Sequence, residues 1–346
     1  MKRIFIVFLT IITAVSGFSQ ATLQPAATIN LTRTEAITVG QLRVEVERME
    51  QASGRTMNHA ERLQVLDVMI NERLVLQAAD RDRVTVTENE LNQQIMQLRA
   101  GMAQQLGRQP TDAEFAQAVR NESGLDVATF RDQMRRQLIV QKYLMSKKGD
   151  LINSIQRPTD QEILTEYNLL RSELVRPETI RFTMIQVPYG PDAASRVRAR
   201  TLAESLVREI NNDLSKFDEV AARSVAPNSG YQAGDAGFLP RNQEARQVVG
   251  QAFMDVAFSL RQGQVSSLIE GLQGFQIIKV TENYASRQLD MTDILQLGTR
   301  ITVRDYIGQL LLNQRQQAVL AQASQDLVTE LRTGRTFQIF ENNINW

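Results

Sequence analysis

Ile180-Arg181-Phe182-Thr183-Met184-Ile185-Gln186-Val187 is the stretch at which this chain changes character. Upstream, apolar residues recur at helical spacing; here they alternate with polar ones, so the reading passes from helix to strand. Downstream, the spacing predicts a long helix through 199–214, a shorter one at 217–222, a Gly-rich stretch from Gly230 to Gly237, a helix at 252–260 and a buried strand at 275–280. A strand at each end with helices between them makes a compact α+β unit.

Toward the N terminus, helices dominate to about residue 148. The clearest covers 63–79, where Leu63, Leu66, Ile70 and Leu74 form one stripe and Val65, Met69 and Leu76 form another. A helix with two apolar stripes needs neighbours on more than one side, so this one is expected to be the hub of a helical domain. Three starts carry the S/T-x-x-E pattern, in which hydroxyl and carboxylate satisfy each other's backbone N–H: Thr87-Glu90, Thr111-Glu114 and Thr159-Glu162. Asp126 can cap a further helix whose Phe130, Met134 and Leu138 repeat at four-residue steps. Short strands at 28–31 and 36–39 flank a polar turn. Toward the C terminus, a helix over 301–332 ends at Gly334, suited to a left-handed cap, and a strand at 337–340 follows. That strand needs a partner, and the N-terminal hairpin is the candidate.

Composition removes much chemistry. The 346 residues include no cysteine and one histidine, His59, which excludes thiol nucleophiles, Cys/His zinc sites and any mechanism needing two imidazoles. With no Gly-x-Ser-x-Gly or other nucleophile motif to pair with it, His59 reads as a surface residue at a helix start. Neither a cofactor nor a metal is expected, and the turn Gly234-Asp235-Ala236-Gly237 lacks the Gly-Lys-Ser/Thr of a phosphate loop. Lys+Arg and Asp+Glu are both 39, so no nucleic-acid partner is expected. Met1-Lys2-Arg3 followed by an apolar run to Phe18 reads as a cleavable signal peptide over residues 1–19, since the run is interrupted by Thr10, Thr13 and Ser16 and is short for a membrane span. Cleavage would remove Lys2 and Arg3 and no acid. With no cysteine to carry a lipid, the expected location is the periplasm, with no integral membrane segment in the remainder.

Five pieces in order make the α+β unit resemble the parvulin-type peptidyl-prolyl isomerases: the strand ending Met184-Ile185; Phe217-Asp218-Glu219-Val220-Ala221 with Ser224; Gly234-Asp235-Ala236-Gly237; Phe253 through Ala257-Phe258-Ser259-Leu260 with Gly263 and Val265-Ser266; and Gly274-Phe275-Gln276-Ile277-Ile278-Lys279-Val280. The helical segment is similar to the N-terminal module of the SurA-type periplasmic chaperones at Met69-Ile70-Asn71-Glu72-Arg73-Leu74, Val84-Thr85-Val86-Thr87 and Thr129-Phe130-Arg131-Asp132-Gln133-Met134-Arg135. The resemblance implies an α+β architecture: a mainly helical SurA-N-like core domain of N-terminal helices, C-terminal helix and short strands, with one inserted parvulin-like α/β domain, as in the related foldase PrsA. The expected boundaries are a helical module over 20–157, a linking helix over 158–176, the parvulin-like domain over 177–286, and a helix and strand over 287–346 returning to the N-terminal module. It also implies partners, namely unfolded or nascent exported polypeptides, outer-membrane proteins among them.

The departures from the family decide the chemistry. Its active members place a His in the opening strand, a His in the closing strand, and a Cys or Asp two residues after the loop Ser; here those positions hold Met184, Gln276 and Ala226. The Leu of Gly-Asp-Leu-Gly is Ala236, which leaves Ala236, Val249 and Phe253 as proline-pocket candidates. Isomerising X-Pro needs a shaped apolar pocket and polar groups that favour the twisted amide. The polar half is missing, so no catalytic residue is assigned and a degenerate, peptide-binding domain is expected, the alternative being a working isomerase. Met49, Met57, Met69, Met96, Met102, Met134 and Met145 lie in the helical module. Most Met at such spacing is core, but flexible thioethers suit promiscuous surfaces, which makes Met69, Met96 and Met134 client-groove candidates. The basic excess of Arg120, Arg131, Arg135, Arg136, Lys142, Lys147 and Lys148 over Glu122, Asp126 and Asp132 reads as a solvated helix face. The terminal Trp346 echoes the aromatic ends of outer-membrane barrels, an accidental likeness in a helix-rich chain.

Overall fold

Local hydrogen bonding sets the helix starts in the computed structural model, which describes residues 20–210 and 213–346. The expected signal segment lies outside the described residues. Strands β1 (Pro25–Asn30) and β2 (Thr34–Thr38) pair antiparallel from Pro25↔Thr38 to Asn30↔Thr34. Helices α1 (Val39–Ser53), α2 (His59–Arg81), α3 (Glu88–Leu106), α4 (Asp112–Ser123) and α5 (Val127–Asn153) follow. The reciprocal caps Thr87/Glu90 and Thr111/Glu114 form as the spacing predicts, and Asp126 caps α5. Two more boxes, Thr38/Gln41 and Asn58/Glu61, use Gln and Asn in the same roles and start α1 and α2. Gly107 and Gly124 end α3 and α4 at φ 68° and 73°, where a Cβ would be strained.

The hub helix is α2. Leu66, Met69, Ile70, Leu74, Ala78 and Ala79 are fully buried there, in one core with Ala27 and Ile29 of β1, Ile37 of β2, Leu42 and Val46 of α1 and Tyr143 of α5. A second, smaller core joins Leu91 and Ile95 of α3 to Phe115 and Val119 of α4, with Phe130, Met134 and Leu138 of α5 against it.

The next elements are α6 (Asp160–Leu170), started by the Thr159/Glu162 box, β3 (Val175–Arg176), β4 (Thr179–Pro188), α7 (Ala193–Ile210) and α8 (Leu214–Arg223). After them come β5 (Gln232–Pro240), α9 (Gln243–Val249), α10 (Gln251–Ser259), β6 (Ile269–Glu270), β7 (Gly274–Tyr284) and β8 (Arg287–Gln288). Three expectations change. The long helix is shifted to Ala193–Ile210, because Asp192 accepts from the Ser195 N–H at its start and Asp213 caps the next helix through Ser215. The Gly-rich stretch is strand β5, held by antiparallel pairing with β4 from Thr179↔Pro240 to Gln186↔Gln232 rather than by side-chain propensity. Helix α9, not expected, is capped by Asn242.

The four-stranded sheet runs β5-β4-β7-β6, with β4 and β7 central and antiparallel. Alternation sends Ile185, Val187, Phe275 and Ile277 to one face, against Ala203 and Leu206 of α7 and Phe217 and Val220 of α8. Phe182, Ile278 and Val280 face the other way, against Phe253, Met254 and Ala257 of α10.

The last elements are α11 (Val303–Leu331) and β9 (Phe337–Ile339). Two compact units result: Gln156–Asn313 form one, and the described residues up to Ile155 with Gln314–Trp346 the other. The 158–176 and 287–313 segments, expected as a linking helix and as part of the returning segment, thus belong to the α+β unit. Their apolar residues make a core of their own there, from Ile163, Tyr167 and Leu174 to Leu289, Val303 and Ile307, with the Tyr167 hydroxyl donating to the Leu289 carbonyl at 3.0 Å. From Gln314 onward, Leu327 and Leu331 enter the hub core and β9 pairs with β1 through Ala27↔Ile339 and Ile29↔Phe337, the partner that the sequence nominates. Ile344 is fully buried, and the Trp346 ring lies beside the Arg43 and Arg62 guanidiniums, 4.7 and 5.3 Å from its centre.

Leu66→Ala should therefore destabilise the helical unit by about 2–5 kcal/mol. Trp346, the one tryptophan, sits against this core, so denaturant unfolding followed by its fluorescence reads the loss directly.

Candidate functional site

The face of β4 and β7 that meets α10 holds two of the three polar-site positions. Met184 pairs with Ile278 and Gln186 with Gln276, so Met184 and Gln276 are diagonal neighbours on one face. Met184 packs, partly buried, on the Phe182–Phe253–Ile278 cluster. The Gln276 amide lies against Gly271 in the β6–β7 turn, so close that a Cβ on Gly271 would stand 2.6 Å from its Oε1. That Oε1 is buried with no hydrogen-bond partner among the described residues.

Ala226 is exposed in the turn after α8, where its N–H donates to the Arg223 carbonyl and its own carbonyl accepts from Ser229. A methyl group there can neither donate nor accept a proton. The three positions thus present a thioether, an amide and a methyl, none of which titrates in the physiological range. These three side chains by themselves offer a peptide apolar surface and one carboxamide.

The proline-pocket candidates separate. Phe253 is 3% exposed, its ring 5.7 Å from that of Phe182 at 58°, so it is core of the unit and not an open pocket wall. Val249 packs beside it, partly buried. Ala236 lies apart, exposed on the edge strand: Phe182 pairs with Gly237 and Thr183 with Asp235, which leaves Ala236 unopposed in a bulge. Beside it, Arg181 bonds Asp235 at 2.6 Å and Glu282 at 3.0 Å, and the guanidinium, with the Gly237 N–H, holds the Asp235 carboxyl below its usual range. A recess of about 470 Å³ opens at the starts of α9 and α10, between Arg241, Arg246, Gln251, Met254 and Asp255, and includes neither Met184 nor Gln276. The neighbour that sequence reasoning passed over is Gln186, which the β4 alternation alone would have put opposite Gln276.

In the helical unit, Met69 is fully buried in the hub core, which withdraws it from any client groove. Met134 is partly buried in the α3–α4–α5 core, whereas Met96 is 59% exposed on α3 beside Leu98 at 45%, with Leu106 further along at 48%. The basic excess is answered by acids: Arg131 and Arg135 meet Glu88, Lys142 meets Glu90 at 2.7 Å, Lys147 meets Asp82 at 2.6 Å and Lys148 meets Glu330 at 2.6 Å. His59 is exposed.

Comparison with known proteins places both units. Residues 182–282 match the PPIC-type PPIASE domain, and residues 2–144 match the SurA-like N-terminal domain. The chaperone SurA of Chromohalobacter salexigens is 26% identical over 221 residues, 64% of this chain and 47% of that one. That of Saccharophagus degradans is 27% identical over 282 residues, 78% of this chain and 61% of that one. The chain thus spans about half the length of such relatives. Among solved structures, one of two SurA-like chaperones of Campylobacter jejuni covers 89% of this chain and 99% of its own at 16% identity and a TM-score of 0.32. PrsA of Bacillus subtilis covers 89% and 93% at 18% identity and a TM-score of 0.25.

If Phe253 is core, Phe253→Ala should cost about 3–5 kcal/mol in the α+β unit. Ala236→Leu, at the exposed bulge, should change stability by only about 0.5 kcal/mol. Calorimetric unfolding of the whole chain checks both; equal, small effects would return Phe253 to the pocket wall.

Proposed function

Because the chain belongs to the SurA-like proteins that carry a single PPIC-type domain, we propose that it is a chaperone holding unfolded exported polypeptides, outer-membrane proteins foremost, with an isomerase-like domain that no longer isomerises X-Pro bonds. One observation carries the reading: the two domains follow each other in the expected order, while Met184, Gln276 and Ala226 stand where the chemistry needs polar groups. Client holding then rests on apolar contact without ATP. Helix α3 fits that role, since it buries Leu91 and Ile95 inward and leaves Met96, Leu98 and Leu106 to solvent. The parvulin-like domain is accessory, a surface for extended peptide. Its place of work is the periplasm, reached by cleavage near residue 19; no helix among the described residues is long and apolar enough to cross a membrane.

The test is light scattering of an unfolded outer-membrane protein diluted into buffer with residues 20–346, beside a variant lacking 177–286. The deletion is tractable because β3 and β8 pair Arg176 with Arg287 across its ends, and the Ile163–Leu289–Ile307 core lies wholly outside it. Both proteins should suppress aggregation, and failure of both overturns the holding function. In a proline-limited peptide assay the full chain should stay at the uncatalysed rate, whereas a rate well above it would favour a working isomerase.

A further inference from the structure

Glu72, within the Met69–Leu74 segment, is turned into the helical unit, where its side chain is 8% exposed. No side chain among the described residues hydrogen-bonds its carboxyl. Arg136 of α5 comes nearest, at 3.8 Å. From α1 comes Glu45, 1% exposed and paired with Arg48. From β2 comes Glu35, which already accepts from Arg73 at 3.1 Å and from Gln77 at 3.3 Å. On the next turn of α2, Asp67 and Asn71 are taken by Arg332. Three carboxyls from three elements thus meet around α2; Arg48 is taken by Glu45 and Arg73 by Glu35, which leaves Glu72 the 3.8 Å approach of Arg136.

A largely buried ionised carboxylate whose nearest cation stands 3.8 Å away, beyond hydrogen-bond reach, is costly, and a second buried acid beside it adds repulsion. The neutral acid has no such cost. We infer that this seam is a pH-responsive device of the helical unit: with Glu72 protonated α2 packs firmly against α1 and α5, and with Glu72 ionised that packing loosens. Burial, with Glu45 and Glu35 adding to it against Arg73 and Arg136, pushes the Glu72 carboxyl up to about 7. Burial raises Glu45 as well, against its pairing with Arg48.

The direction of the pH dependence follows. A carboxyl raised above its ordinary 4.5 binds more protons folded than unfolded between the two values. Stability is therefore greatest at acid pH, falls as pH rises toward about 7, and is flat beyond. The exposed acids Glu90 and Glu114, held down to about 2 by Lys142 and Arg108 and by their helix caps, act oppositely and only at lower pH. His59, exposed at the start of α2, is the one histidine and needs a control of its own.

The experiment is thermal unfolding of residues 20–346 read by Trp346 fluorescence at about pH 5.5 and about pH 8. The midpoint should fall by on the order of 5 °C at the higher pH. Glu72→Gln should bring the alkaline midpoint up to the acid one and remove the dependence, while His59→Gln should leave it intact. A wild-type midpoint that does not fall, or a dependence that survives Glu72→Gln, overturns the inference. Should Glu72→Gln not fold, Glu45→Gln removes the neighbouring charge and should weaken the dependence; an undiminished one overturns the inference equally.

Discussion

The structure depends on the burial of α2. Leu66, Met69, Ile70, Leu74 and Ala78 have no exposed surface, and Val65 and Val75 have almost none, so α2 lacks the solvent-facing apolar-free half of an ordinary surface helix. Neighbours must close on it from several directions. The N-terminal hairpin, α1 and α5 supply most of them, and the rest come from Leu327, Leu331 and Ile344, more than 240 residues further along the chain. The helical unit is discontinuous in sequence for this reason: its last strand, β9, completes a sheet that β1 begins.

Everything between Ile155 and Gln314 is therefore an insertion that must bring its own cores. It has three. Two lie on the opposite faces of the β5-β4-β7-β6 sheet, and the third joins α6 to the beginning of α11 around the short β3–β8 pair. Because β4 and β7 carry apolar residues on both faces, the sheet is packed from both sides, and Met184 lies among the side chains of one of those cores. The β6–β7 turn closes on Gln276 at Gly271.

Charge in the helical unit is organised around the same helix. Basic side chains of α5 are neutralised by acids of α2, α3 and α11, so the local excess does not present an open cationic surface. Those acids that lie at helix starts do double duty as caps, as Glu90 does for Thr87 while also accepting from Lys142. Deeper in, Arg48 pairs with Glu45 and Arg73 with Glu35, and Glu72 has only the longer approach of Arg136, at 3.8 Å. The Glu72 carboxyl and the unpaired Gln276 amide oxygen are two of several buried polar features among the described residues that local sequence rules do not explain.

Much was legible in the amino-acid order because it rests on local physics. Helix starts follow from hydroxyl and carboxylate three residues apart, the α2 hub from two apolar stripes, and β4 and β7 from alternation; even the pairing of 337–340 with the N-terminal hairpin followed from an otherwise unpartnered strand. That Met184, Gln276 and Ala226 bring no imidazole, thiol or carboxyl to the positions the resemblance points to is likewise readable directly, since it concerns identities. Tertiary structure decided what depends on distant neighbours. Met69 and Phe253 looked available as binding surfaces, and only the closing of α1, α5 and β1 on one, and of Phe182 and the sheet on the other, shows them to be core. A Gly-rich stretch with little strand propensity became β5 because β4 offered it a full edge of backbone partners. The environment of Glu72 was the least legible of all, because the cost of a buried charge is set by which groups of α1, β2 and α5 arrive beside it, and no spacing within α2 encodes that.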